Sequence, residues 1–159
     1  MNLNHPLPLS RDYVKGYLPH RDPMLFIDGV TELSEMRIKT QSHVKSDADF
    51  FKGHFPGMPI MPGVLIIETV AQSGALLVSL TRGLDESKFI AFSSVESAKF
   101  KAPVLPGKVL TIDVEIEKIR LPFYRFTGRA YVEDKLVASL KFAAAEMEFN
   151  PSLTTDRTD

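Results

Sequence analysis

A histidine and a glutamate stand near each other in an otherwise apolar stretch between Gly53 and Gln72. His54 precedes Glu68 by fourteen residues, and proline, glycine and aliphatic residues dominate the segment between them. An imidazole with an ordinary pKa of ~6.5 can accept a proton at neutral pH. A glutamate buried without a charged partner has a raised pKa and can donate one. The two residue types together indicate general acid–base chemistry.

The residues just after this histidine predict a helix that begins with exposed backbone donors. Pro62 suits the first helical position because it lacks an N–H, and Met61 has no side-chain oxygen that could cap the helix. We therefore expect the N–H groups of Gly63, Val64 and Leu65 to have no intramolecular partner. Because Gly63 has no Cβ, a ligand atom could approach its backbone closely. Such a helix start is a candidate site for a carbonyl or a developing oxyanion.

The predicted helix spans residues 63–82 and is apolar on nearly every side, which predicts burial on every side. Glu68 and Gln72 lie four residues apart on one face, so the amide could hold the carboxyl by a hydrogen bond. Burial would raise the pKa of Glu68 and keep it protonated near neutral pH. The alternative is that Glu68 lies at the helix surface and has no chemical role.

Composition narrows the class of protein. A chain of 159 residues is long enough for one domain with its own core, which we place at 1–149. The formal net charge of −1 does not indicate nucleic acid or an anionic membrane as a partner. The absence of cysteine excludes disulfides and a cysteine nucleophile, and it favours a reducing, cytosolic compartment.

The sequence also gives no clear indication of a signal peptide, a membrane-spanning helix or a metal site. The first residues lack the apolar segment of a signal peptide, and the longest apolar stretch is interrupted by Glu68, Gln72 and Ser73, so we expect no membrane span. The four histidines form no short ligand pair, and no metal site is expected.

The remaining elements are read from periodicity and turn residues. Ser10 can cap a short helix at about 11–18, and Gly83 is a stop for the long helix. Residues 150–159 form a polar tail with no apolar face, which we expect to be disordered. Alternation predicts strands at 24–33, 37–45, 88–101 (with a kink at Ser93-Ser94), 108–120, 123–133 and 136–149. A sheet that is apolar on one face and a helix that is apolar all round bury each other if the sheet wraps the helix, which is an α+β fold.

Three segments carry a resemblance to a known family. LPHRDPMLFID, GHFPGMPIMPGVLIIETVAQSG and SAKFKAPVLPG, in this order and spacing, closely resemble the (3R)-hydroxyacyl-acyl-carrier-protein dehydratases of bacterial type II fatty acid synthesis. The resemblance covers roughly residues 18–147. It implies the hot-dog fold, in which a curved antiparallel sheet wraps one long buried helix. It also implies dehydration of (3R)-3-hydroxyacyl thioesters to trans-2-enoyl thioesters in fatty acid biosynthesis.

The resemblance also assigns roles to residues. It implies no cofactor and no metal, a cytoplasmic location, and a substrate attached through phosphopantetheine to an acyl carrier protein. It implies a homodimer whose two protomers share each active site, often assembled further into a trimer of dimers. The implied residues are His54 as base, Glu68 as acid, the Gly63 N–H as oxyanion donor, Gln72 as the amide that orients Glu68, and Phe55, Pro62 and Val64 around the substrate.

Several positions stay open at this stage. Lys99, Lys101 and Lys108 could form a docking patch for an acidic carrier protein, or they could be an ordinary solvated face. Further plausible contributors to such a patch are Arg120, Arg125 and Arg129. His20 in LPHRDP is more simply a structural hydrogen-bonding residue than a catalytic one. The chain departs from the family pattern at Asp22 and at Phe92-Ser93-Ser94, positions that we expect near the acyl tunnel or its mouth.

Other functions remain as alternatives. A hot-dog acyl thioesterase would not need the HFPG loop, and a dehydratase could serve a specialised lipid or polyketide pathway. A dehydratase that also isomerises the double bond carries Asp at the position of Glu68, which disfavours that activity. A non-catalytic acyl-binding subunit is disfavoured because both catalytic positions are intact.

Overall fold

The structure is a computed structural model that describes residues 3–150. The predicted disordered tail lies, apart from Asn150, outside the described residues. Within these residues, seven strands form one antiparallel sheet in the order β1-β2-β3-β5-β6-β7-β4. The elements are β1 (Leu9–Ser10), α1 (Arg11–Lys15), β2 (Gly29–Leu33), β3 (Arg37–His43), α2 (Phe50–Gly53), α3 (Gly63–Arg82), β4 (Lys88–Phe100), β5 (Val109–Arg120), β6 (Phe123–Val132) and β7 (Lys135–Glu148).

Helix α3 packs against β3, β4, β5, β6 and β7, and this contact forms the core. Leu76, Leu77 and Val78 of the helix are fully buried. On the sheet side, Ile112 and Val114 are fully buried while the alternating residues between and after them are not, as the period of two predicts. The predicted α+β arrangement of one sheet around one apolar helix is confirmed.

The long helix has the predicted bounds and the predicted stop. Gly83 follows it with φ 61°, a left-handed conformation that glycine adopts at little cost. The expectation of burial on every side is wrong for the first turns. Val64 is 70% exposed, whereas every residue from Gln72 to Thr81 is buried. The sheet of a single chain therefore covers the second half of α3 and leaves much of its beginning open.

Two predicted elements near the N-terminus are shorter than expected. Helix α1 ends at Lys15, because the N–H of the next residue, Gly16, bonds back to the carbonyl of Tyr13. The strand predicted from residue 24 begins only at Gly29. The backbone groups of Met24 and Phe26 bond to the side chain of Gln72 instead of to a neighbouring strand. A tertiary contact replaces the sheet pairing that periodicity predicted.

Strand β4 forms an edge of the sheet and, in the described part of the chain, pairs only with β7. Its register shifts between Phe92 and Ser94 and again between Val95 and Ser97, so the predicted kink is present as a bulge. Phe92, Val95 and Phe100 are 40%, 44% and 50% exposed. An edge strand with exposed apolar side chains is a surface on which another chain can pair.

Helix α3 is long and apolar enough to cross a membrane by length and composition alone. Two-thirds of its apolar window, 67%, is buried inside the domain, as expected of a core helix in a folded domain.

Candidate active site

Glu68 lines a cavity of about 230 Å³ that lies between α3, the edge of the sheet and the loop after α1. The walls are mostly apolar, and Glu68, Gln72 and His20 supply the polar side chains. An apolar cavity with a few convergent polar groups is the usual form of a small-molecule site. The lining residues are Pro19, His20, Glu68, Ala71, Gln72, Ala75, Phe89, Ile90, Ala91, Phe92 and Ala144.

The amide of Gln72 is fixed by three hydrogen bonds. Its Oε1 accepts from the N–H of Phe26 at 2.9 Å, and its Nε2 donates to the carbonyl of Met24 at 2.7 Å and to Glu68 Oε1 at 3.0 Å. The side chain is only 1% exposed. The hydrogen bond predicted from the four-residue spacing is therefore present, and the backbone of the 24–26 segment anchors the amide that makes it.

The charge state of Glu68 differs from the expectation. We expected burial to raise its pKa, but the pKa lies below its ordinary range. The largest cause is the contact with His20, whose Nε2 lies 3.4 Å from Glu68 Oε1, and the hydrogen bond from Gln72 adds to it. Burial acts in the opposite direction and is outweighed, because the side chain of Glu68 remains 24% exposed.

His54 follows α2, a short helix that the sequence pattern did not predict. Its N–H donates to the carbonyl of Phe50, and its imidazole Nδ1 lies 2.9 Å from the carbonyl of Ile60. A carbonyl only accepts, so Nδ1 carries the proton and Nε2 is left with a lone pair. The ring stacks on Phe55 at 4.1 Å between centroids. This is the tautomer that a general base needs.

A single chain does not bring His54 and Glu68 together. No hydrogen bond or ion pair joins them in the described residues, and His54 does not line the cavity that contains Glu68. The imidazole and the carboxyl occupy separate places on one protomer.

The start of α3 only partly matches the expected donor site. The N–H groups of Gly63 and Val64 have no partner within residues 3–150, but the N–H of Leu65 donates to the carbonyl of Pro62 at 2.9 Å. The prediction for Leu65 is wrong because the first turn closes by a short-range bond. A Cβ at Gly63 would lie 2.9 Å from Cε1 of Phe100. The missing side chain of Gly63 thus admits the ring of Phe100.

The two departures from the family pattern lie in different places. Phe92 lines the cavity that contains Glu68, whereas Ser93 and Ser94 do not. Asp22 does not: it pairs with Arg11 and lines a separate cavity of about 420 Å³. We assign the site to the smaller cavity, because the larger one contains neither Glu68 nor His54.

The three lysines predicted to dock a carrier protein are all exposed. Lys99 lines a groove of about 210 Å³ on the outer face of the sheet, whereas Lys101 follows the end of β4 and Lys108 precedes β5. Sequence reasoning missed Lys141 in this groove and weighed Arg129 only as a further contributor. We call this surface the basic groove; it is lined by Ser97, Lys99, Thr127, Arg129, Leu136, Ser139, Leu140 and Lys141.

Residues 3–150 contain no cluster of three or more histidine, aspartate or glutamate side chains that could hold a metal ion. His20, for which the sequence favoured a structural hydrogen-bonding role, lies with its Nε2 3.4 Å from Glu68 Oε1. The sequence contained no sign of this particular partner, because the two residues are far apart in the chain and meet only in the folded protein.

Sequence comparisons with known proteins show the family of this chain. The FabA-like domain family matches residues 18–141. The chain is 39% identical over 146 residues to a 3-hydroxyacyl-[acyl-carrier-protein] dehydratase FabZ of Lawsonia intracellularis, covering 90% of this chain and 95% of the relative. It is 43% identical over 136 residues to the protein of that name from Caulobacter vibrioides, covering 84% of this chain and 86% of the relative.

A solved structure supports the fold. The dehydratase heterocomplex ApeI:P from Xenorhabdus doucetiae matches with a TM-score of 0.74 and 21% identity, covering 93% of this chain and 95% of that one. This likeness shows the hot-dog fold alone. The family model and the sequence relatives show that the chain belongs to the FabA-like family of 3-hydroxyacyl-acyl-carrier-protein dehydratases.

Proposed function

We propose that this protein converts (3R)-3-hydroxyacyl thioesters of an acyl carrier protein to trans-2-enoyl thioesters and water in fatty acid biosynthesis. The observation that carries the proposal is the carboxyl of Glu68, held by Gln72 at the wall of an apolar cavity in a chain of this family. The apolar lining suits an acyl chain, and the carboxyl suits a hydroxyl that must leave as water.

The proposed reaction uses His54 as the base. Its Nε2 takes the proton from C2 of the substrate, and the electrons of that C–H bond form the C2–C3 double bond as the C3–oxygen bond breaks. The N–H of Gly63 stabilises charge on the thioester oxygen, a contribution of about 3 kcal/mol to the barrier at comparable oxyanion sites. Phe55, Pro62 and Val64 are proposed to flank the substrate at the start of α3.

Glu68 is proposed to protonate the departing hydroxyl, which leaves as water. In the single protomer the lowered pKa of Glu68 favours the ionised carboxylate. A bound acyl chain excludes water, which disfavours the charged carboxylate and raises its pKa toward the protonated acid. After product release, His54 loses the proton that it took from C2 and Glu68 regains a proton, both by exchange with solvent.

The active site is proposed to form between two copies of the chain, with His54 of one protomer opposite Glu68 of its partner. The support is their separation within one protomer together with the exposed apolar edge of β4. Further assembly into a trimer of dimers stays a prediction. A cytoplasmic location is proposed from the biosynthetic role of the family and the cysteine-free composition.

An acidic acyl carrier protein is the proposed partner. The basic groove lies on three neighbouring strands and contains no acidic side chain, while Lys101 and Lys108 add exposed positive charge nearby in the chain. Arg125 contributes less than expected, because it is paired with Glu96. The alternative of a thioesterase is separated from dehydration by an assay for free thiol release.

The test is a dehydration assay with 3-hydroxyacyl-carrier substrates of graded chain length, which follows absorbance of the conjugated enoyl product. His54→Ala and Glu68→Gln should each lower kcat by about 100-fold or more. Mixed and re-equilibrated, the two inactive variants should recover activity, because a mixed dimer contains one site with both natural residues. Near-natural rates in both single variants would refute the assignment, and an inactive mixture would refute the shared site.

A further inference from the structure

Two nitrogen atoms converge on the same oxygen of Glu68. Gln72 Nε2 donates to Oε1 at 3.0 Å, and His20 Nε2 lies 3.4 Å from that oxygen. The other carboxyl oxygen, Oε2, has no hydrogen-bond partner within residues 3–150. The carboxyl is therefore held on one side and has one oxygen left to meet a substrate.

The tautomer of His20 follows from burial of its other nitrogen. Nδ1 of His20 is buried and has no hydrogen-bond partner in the described part of the chain. An N–H buried without an acceptor is costly, so the single proton of a neutral ring belongs on Nε2, where Glu68 can accept it. At 3.4 Å the contact is longer than the usual hydrogen-bond range of roughly 2.7–3.2 Å. It is therefore a long hydrogen-bonding contact, and it lowers the pKa of Glu68 more through the hydrogen bond than through charge.

The turn that carries His20 is clamped by Arg21. The guanidinium donates to the carbonyls of Leu18 at 2.9 Å, of His20 at 2.7 Å and of Lys15 at 3.0 Å. These bonds fix the backbone that leads up to His20 and that of His20 itself, and they direct the charge of Arg21 to main-chain carbonyls. Among the side chains of residues 3–150, only His20 and Gln72 shift the pKa of Glu68.

We propose that His20 is a positioning residue for Glu68, which holds Oε1 together with Gln72 so that Oε2 faces the reacting hydroxyl. The inference rests on the proposed function, since it assigns a partner to the same acid. It also accounts for the placement of the ring, whose Nδ1 is buried without a hydrogen-bond partner in the described residues while its Nε2 contacts the carboxyl.

Two kinetic effects follow from this arrangement. Without the imidazole of His20, the carboxyl of Glu68 can rotate about the side-chain bonds next to it, so kcat falls. KM changes little, because it reflects contacts with the rest of the substrate. The limb of the pH profile of kcat that reports the titration of Glu68 moves to higher pH. The reason is that His20, the largest cause of the lowered pKa of Glu68, has been removed. A purely structural role would lower the folded fraction without moving that limb.

The test compares three variants that differ in where they place a donor. His20→Gln puts an amide N–H near the position of Nε2, His20→Asn puts it near Nδ1, and His20→Phe has none. We expect kcat within about threefold of the natural protein for the glutamine variant and about tenfold or more lower for the other two, as for other partners of a site residue. The pH limb should move only in the asparagine and phenylalanine variants.

The outcomes separate this inference from the function on which it rests. If the natural protein makes no enoyl product, or if Glu68→Gln keeps full activity, the proposed function fails. If those controls behave as expected but the asparagine and phenylalanine variants keep kcat within about threefold of the natural protein, or the glutamine variant is no better than they are, only the role of His20 is overturned.

A second measurement does not depend on any variant being folded. Nitrogen NMR of the natural protein with labelled histidine reports which ring nitrogen carries the proton at neutral pH. We expect His20 in the form protonated at Nε2. A proton on Nδ1 alone would leave Nε2 unable to donate and would overturn the inference.

Discussion

The pKa of the Glu68 carboxyl is determined by two neighbouring side chains more than by burial. His20 and Gln72 both lower its pKa, and partial exposure weakens the opposing effect of desolvation. The sequence showed an acid in an apolar helix, and the pattern of the helix alone predicted the wrong direction of the shift. A side chain at a cavity wall keeps access to water that a helical wheel does not reveal.

The lowered pKa of Glu68 predicts how the stability of the protein depends on pH. A carboxyl whose pKa is lower in the folded state stabilises that state above its unfolded pKa of ~4.3, and the contribution is lost as the pH falls through the folded value. The difference in the free energy of unfolding between the natural protein and Glu68→Gln should therefore shrink between about pH 7 and pH 3. Denaturant titration at constant protein concentration measures it. A difference that is constant or grows on acidification contradicts the assignment.

At the scale of elements, the fold depends on the close approach of β6 to α3. A Cβ on Gly128 would lie 2.3 Å from Cγ1 of Val70, which is fully buried and stiff at its branched carbon. Since backbone and helix cannot separate without opening the core, this glycine is required by the packing of the two elements. Its strand conformation alone would tolerate a side chain.

Gly128→Ala should therefore lower the free energy of unfolding by about 1–3 kcal/mol. Gly53→Ala is the control, because a Cβ there would meet nothing within 4 Å, and it should change stability by less. Val70→Ala should cost less in the Gly128→Ala background than in the natural protein, because it removes the clashing methyl groups. Additive losses in the double variant would show that the two positions are not in contact.

At the scale of the whole molecule, the sheet order brings three strands together to form the basic groove. Lys99 of β4 pairs with Ser139 of β7, which in turn pairs with Arg129 of β6. Lys141 lies on β7, two residues after Ser139. The side chains of Lys99, Arg129 and Lys141 therefore come within reach of one anionic partner. Phe100, next to Lys99, packs on Gly63 and links this face to the start of α3.

Charge reversal tests the groove as a docking surface. Lys99→Glu with Lys141→Glu should raise KM for carrier-linked substrate about tenfold or more at low salt, with a smaller effect at high salt. KM for a short pantetheine thioester should not change. Lys118→Glu, an exposed site outside the groove, is the matched control. Equal effects on both substrates would show that the charges do not act on the carrier.

The sequence by itself determined what depends on neighbours along the chain. Pro62 and Gly83 set the limits of α3, alternation marked the long strands, and a four-residue spacing placed the amide of Gln72 on Glu68. These features follow from helix and strand geometry, which repeats within a few residues. The family segments added the fold and the activity.

The tertiary structure alone decided what depends on contacts between distant segments. It brought His20 to Glu68, diverted the backbone of Met24 and Phe26 from the sheet to Gln72, and placed β4 at an edge. Periodicity cannot show such contacts, because it says which face of an element is apolar and not which element will cover it. The direction of the pKa shift of Glu68 is set by those contacts, and for that reason it could not be read from the chain.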